Sequence, residues 1–124
     1  MARLRRPLLT SLVVAFSGVV FSACGGSDGL ADAKLACVKV ERGIALEVRA
    51  DAHGVAPATR ALLQQDATSE VLSATGDAAR ANSANGTWNA LMTTIGQAGQ
   101  VPLTYLEPSL SSQCHEILGT TSAP

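Results

Sequence analysis

Aromatic side chains are scarce in this chain: two Phe, one Trp and one Tyr among 124 residues. Phe16 and Phe21 fall in a single N-terminal apolar run, so the remainder keeps only Trp88 and Tyr105. A core without rings is built from Ala, Leu, Val and Ile, which pack closely but bury little area each. Basic excess is also missing, since nine Lys and Arg face ten Asp and Glu. That balance speaks against nucleic acid, which calls for clustered cations and stacking rings. Histidine is limited to His53 and His115, and neither sits in a His-x-x-x-His or Cys-x-x-Cys spacing, so no familiar metal framework is present. Strand-type alternation and internal repeats are absent too, which leaves helices as the expected currency of the fold.

The apolar content is uneven. Met1 to Pro7 carries Arg3, Arg5 and Arg6, residues 8–21 are apolar apart from Thr10, Ser11, Ser17 and Gly18, and Ser22-Ala23-Cys24-Gly25-Gly26 follows. A basic start, an apolar stretch and small residues before a cut site form the order of a secretory signal. The stretch falls short of the roughly 20 residues of a stable spanning helix. Without residues 1–23 the chain holds six basic against ten acidic residues, a net charge near −4, which disfavours purely electrostatic binding to anionic lipid.

From residue 30 onward the spacing is helical. Leu30, Ala33, Cys37, Val40, Ile44 and Val48 recur at steps of three and four, and predict a first helix with Asp28 as its N-cap. His53-Gly54 with Pro57 beyond it marks the stop, and Pro57 can open a second helix. Its stripe is Leu63, Ala67, Val71, Ala74, Ala78 and Ala81, weakened at Gly76 and fading over residues 82–86. Thr87 is the expected cap of a short third helix with Trp88, Leu91, Met92 and Ile95 inward. A fourth begins near Thr104, where Thr104 and Glu107 fit a capping box, or at Pro108. It carries Leu103, Leu106, Leu110, Cys114 and Ile117 inward. The prediction is an all-α domain over residues 30–118, a small up-down-up-down four-helix bundle, with a flexible tail at 119–124.

Candidate chemistry is thin. Gly25-Gly26-Ser27-Asp28-Gly29 matches the serine-hydrolase elbow, but that motif needs a strand before it and a large α/β sheet around it. Ser27 therefore reads as a linker residue. Asp28 with Asp32, Glu41 with Glu47, and Asp66 with Glu70 are carboxylate pairs expected on solvated helix faces. Asn85-Gly86-Thr87 matches a glycosylation acceptor and reads as a turn. Trp88 reads first as a core anchor, and second as an exposed binding anchor of the kind enriched at interaction hot spots. No catalytic residue, metal site or cofactor is expected.

Phe21-Ser22-Ala23-Cys24 resembles a bacterial lipobox, with Phe21 standing where Leu is usual. The whole layout resembles small lipoproteins of actinobacterial type. The resemblance implies cleavage before Cys24, a diacylglyceryl thioether on its sulfur and an acylated new N-terminus, with residues 24–29 as lipidated cysteine and glycine-rich tether. An uncleaved anchor and plain secretion are the alternatives, and the latter is disfavoured because Phe21 occupies a position that wants a small residue. If Cys24 carries lipid, Cys37 and Cys114 remain as an even pair in an oxidising compartment. They would form a disulfide, with two buried free thiols as the alternative. In an up-down-up-down bundle the start of the first helix and the end of the fourth share one end, which suits that bridge. The implied protein is a cell-membrane, lipid-anchored envelope lipoprotein on the extracytoplasmic face. It is a protein-binding or structural module, with a small apolar-ligand or lipid binder as the alternative.

Overall fold

A computed structural model describes residues 28–121 of the chain. The residues read as a signal region and a lipobox, with Cys24 and Ser27, lie outside the described residues. Five α-helices and one 3-10 turn follow in order: α1 (Leu30–Ala50), α2 (Pro57–Ser73), α3 (Thr75–Ala84), the 3-10 turn Gly86–Trp88, α4 (Asn89–Gly96) and α5 (Leu103–Gly119). They make four antiparallel arms, up-down-up-down, because α2 and α3 together form the second arm. Among the described residues there is no strand. The fold class predicted from spacing is the one observed, with a bridge between Cys37 and Cys114 whose Cα atoms lie 5.2 Å apart.

The first arm begins one residue differently from expectation. Gly29 occupies the cap position in the left-handed region at φ 76°. A Cβ there would lie 2.5 Å from the Ala81 carbonyl oxygen, so glycine allows the start of α1 to lie against the end of α3. Asp28 still serves the helix from one position earlier, its Oδ1 accepting from the Leu30 N–H at 3.0 Å. At the other end α1 stops at Ala50, and Gly54 at φ 81° reverses the chain before Pro57.

The inward face of α1 is centred on Ala33, Ala36, Val40, Gly43 and Glu47. The expected face included Val48, and this is corrected: Val48 is 58% exposed and Glu47 only 3%. A helix turns 100° per residue, so Glu47 lies seven residues from Val40 on the face that points inward, while Val48 lies a quarter-turn outside it. Hydropathy favours valine there, but the packing direction is fixed by the small residues. Gly43 shows why. A Cβ at Gly43 would meet Val71 Cγ2 at 2.5 Å and the Ala67 carbonyl at 2.8 Å, so α1 and α2 approach backbone to backbone.

The second arm is two helices rather than one, and the break falls at Ala74 rather than at Gly76. Ser73 Oγ donates to the Glu70 carbonyl at 2.6 Å and Thr75 Oγ1 to the Leu72 carbonyl at 2.7 Å. These local bonds offer the backbone an alternative to the regular ladder. Ala67, Val71, Ala74, Ala78 and Ala81 are all buried, so the break does not disturb the stripe.

Two caps differ from expectation. Thr87 is not the cap of the third arm; Asn85 is, its Oδ1 accepting from the Thr87 N–H at 3.0 Å and from Thr87 Oγ1 at 2.6 Å. Nor does a capping box open α5, which starts at Leu103 after Pro102 with no side-chain cap and carries Pro108 inside it. The five expected inward residues of α5 are all buried. Aliphatic side chains and the two bridged cysteines complete a core with no aromatic ring among its fully buried members.

Candidate functional site

The chain meets the domain at one end of the bundle, and Trp88 fixes how. Its indole Nε1 donates to the carbonyl of Asp28, sixty residues earlier. That bond, Gly29 against Ala81, and the Asp28–Leu30 bond hold the first described residues against the turn that precedes α4. The ring itself is half-buried and packs on the margin of the core. Trp88 is thus packed in part against the core and also lines an open groove.

That groove runs between the start of α4 and the end of α5, with a volume of about 240 Å³. Trp88, Ala90, Leu91 and Ile117 supply its apolar lining, and Gln113 and Glu116 are among its polar neighbours. Gln113 Nε2 donates to Thr94 Oγ1 at 3.4 Å, while that hydroxyl donates onward to the Ala90 carbonyl at 2.8 Å. Gln113 Oε1 is buried without a donor. No Lys or Arg lines the groove. Glu116 is the one charged residue of that lining, and residues 81–106 contain no Asp, Glu, Lys or Arg.

A second surface lies diagonally across the bundle. Helix α1 packs on α2, α3 and α5, whereas α4 packs on α3 and α5. The outer side of α1 therefore points away from the groove. It carries Leu35 and Val38, 54% and 41% exposed. One to three turns further on, Arg42, Ala45, Leu46 and Arg49 frame a shallow notch with Glu70 of α2.

Charge is handled differently along the length of the domain. Asp77, in the first turn of α3, is buried yet paired with two cations: Lys39 Nζ lies 2.7 Å from its Oδ2 as an ion pair outside hydrogen-bond geometry, and the guanidinium of Arg80 donates to its Oδ1. Arg80 also reaches Asp32 at 3.2 Å. Lys39 donates to the Ser73 carbonyl at 3.3 Å, so one ammonium joins the C-terminal end of α2 and the acid at the start of α3. Opposite dipole ends favour this arrangement. Glu47 has no such support. Its one hydrogen-bond partner is Gln64 Nε2 at 3.4 Å. Burial pushes its carboxyl above the usual range, the Gln64 bond opposes that, and the negative fields of Asp51 and Glu107 add to the rise. Glu41 is exposed, so the expected solvated Glu41/Glu47 pair is corrected: only one member is in water.

The remaining candidates stay apart. His53 sits exposed in the turn after α1, and His115 on the outer face of α5 beside Ser112. Asp28 and Asp66 are exposed, and Asp32 and Glu70 face Arg80 and Arg42. Among the described residues no three His, Cys, Asp or Glu side chains are grouped to hold a metal ion, and no helix is long and apolar enough to cross a membrane. Sequence reasoning missed Gly43, the burial of Glu47 and the Lys39–Asp77–Arg80 cluster. Spacing alone signalled Glu47, at three residues from Ile44 and seven from Val40. No known protein family, curated protein sequence or solved structure matches this chain.

Proposed function

We propose that this chain is the precursor of a cell-envelope lipoprotein, anchored through an acylated Cys24 on the extracytoplasmic face of the membrane. Its helical domain is a protein-binding or structural module, not an enzyme. The observation that carries the binding role is the outer ridge of α1. Leu35 and Val38 stand exposed on a domain whose core is already filled, on the same helix face as Arg42, Ala45 and Arg49. An adjacent apolar pair bordered by arginines has the make-up of a contact patch: apolar centre, charged rim, Arg enriched. The signal layout and lipobox of residues 1–26 support the anchor.

Affinity capture from envelope extract with the acylated protein tests the binding role. A specific partner is recovered with the native protein and lost with Leu35→Asp/Val38→Asp, both exposed positions. Recovery of no partner, or one indifferent to that pair, refutes the reading. Labelling with a palmitate analogue tests the anchor; Cys24→Ser abolishes it, and undiminished labelling of that variant rules the anchor out.

A second reading, binding of a small apolar molecule, is favoured by the groove beside Trp88. Its volume is slightly below the roughly 300 Å³ at which small-molecule pockets begin, so it suits a short molecule or a single acyl chain. Native mass spectrometry of the purified domain reads it directly.

A further inference from the structure

We infer that the groove end of the bundle rests on the bilayer in which the protein is anchored, with Trp88 at the headgroup–acyl boundary and lipid as the occupant of the groove. This rests on the reading that Cys24 is acylated. Asp28 is four residues after Cys24, and four residues reach at most about 14 Å. The Asp28 carbonyl is bonded by the Trp88 indole, so the ring lies within that short reach of the lipidated sulfur. Helix α1 has 21 residues, about 30 Å of length. Glu47 and the loop after α1 therefore stand a bundle length from Trp88, and the two ends do not have equal access to the membrane.

The chemistry at the near end fits lipid. An indole with an apolar body and a bonded N–H is the side chain that gathers at membrane–water boundaries. Leu91, Ile117 and Ala90 supply apolar wall beside it. Leu118, 40% exposed, adds to the same end of α5. Residues 81–106 are neutral, so the one charged group of the groove wall is Glu116, which is exposed and keeps its carboxylate in water without a desolvation cost. Asp28 and Glu116 are the nearby acids, so anionic headgroups do not drive the contact. The outer ridge of α1 is then directed away from the lipid side of the groove and free to meet a partner.

Trp88 is the only tryptophan of the chain, so its fluorescence reports the contact without alteration. The acylated mature protein is reconstituted in phosphatidylcholine vesicles whose acyl chains carry bromine at shallow or deep positions. Flotation and the mass of the N-terminal peptide establish the anchor separately. The expected result is that shallow bromines quench roughly half of the emission and deep ones little, as for an indole at headgroup level. Added phosphatidylglycerol leaves the quenching unchanged. Ala90→Asp, at an exposed groove position, floats equally well but loses the quenching. A protein that floats and is acylated, yet shows no quenching, overturns the inference and leaves the anchor standing. If Trp88 then becomes shielded with rising protein density, a second copy covers the groove instead; if it is shielded only by added envelope extract, a protein partner does. A chain that neither floats nor carries lipid overturns the anchor and this inference together.

Discussion

The near and far halves of the bundle bury one acid each, and they treat it in opposite ways. Asp77 is held by Lys39 and Arg80, in the half that also carries the Cys37–Cys114 bridge and the Trp88–Asp28 bond. Glu47 has a neutral amide at 3.4 Å and two acids in its field. The near half is cross-linked covalently and by a buried ion pair; the far half relies on packing, the Gln64–Glu47 bond, a looser Arg42–Glu70 pair at 3.9 Å and the bond from Arg60 to the Ala50 carbonyl. Stability in this small, ring-poor domain is thus graded along its axis.

Removing the bridge is the strongest way to erase that gradient. Cys37→Ser/Cys114→Ser opens a loop of 77 residues, and the chain-entropy model assigns such a loop roughly 4–5 kcal/mol. Urea denaturation of native and variant domains measures the difference. Next is Gly43→Val, between the halves. Its side chain drives α1 away from Val71 and Ala67, at a cost of about 3 kcal/mol, read as a fall in thermal midpoint. Asp77→Ala follows, at about 2 kcal/mol. Its two cations keep access to water, Lys39 at 35% and Arg80 at 60% side-chain exposure, so the loss is less than for a fully buried pair. Hydrogen exchange then rises first at the junction of α2 and α3.

Glu47→Gln should act in the other direction and sharpen the contrast. The folded state raises the carboxyl above its ordinary 4.5, so it binds a proton more readily than the unfolded chain does. Stability is therefore fullest below the ordinary value and declines as pH rises through the raised one. At neutral pH the variant gains on the order of 1 kcal/mol, because an uncompensated buried charge becomes an amide. Below the ordinary carboxylate value the gain disappears. Denaturation midpoints across pH measure this, and a gain independent of pH would show that Glu47 is hydrated in the fold.

Much of this architecture was legible in spacing. The stripes of α1 and α5, the stop at Gly54, the opening at Pro57 and the position of both bridged cysteines follow from periodicity and turn chemistry, which depend on neighbours in sequence. Residues whose environment is set from another helix were not legible. Glu47 keeps the spacing of the α1 stripe, but that this carboxylate rather than Val48 turns inward is decided by Gly43 and the alanines, which draw α2 close. The break at Ala74 comes from two hydroxyls returning to nearby carbonyls, in a stretch whose alanine stripe reads as continuous. Trp88 was singled out as a lone indole, but its partner Asp28 lies sixty residues away. The groove needed the end of α5 beside the start of α4, and only the folded chain supplies that.

The bridge between the first and last helices has a consequence for durability. It ties Cys37 to Cys114, so a protease that nicks the exposed turn at residues 51–54, or any loop between those positions, releases no fragment from the domain. The severed pieces stay one covalent body until a reductant arrives. On a gel such a molecule would run intact when oxidised and as two bands when reduced. Surface damage to this domain would be silent to its surroundings.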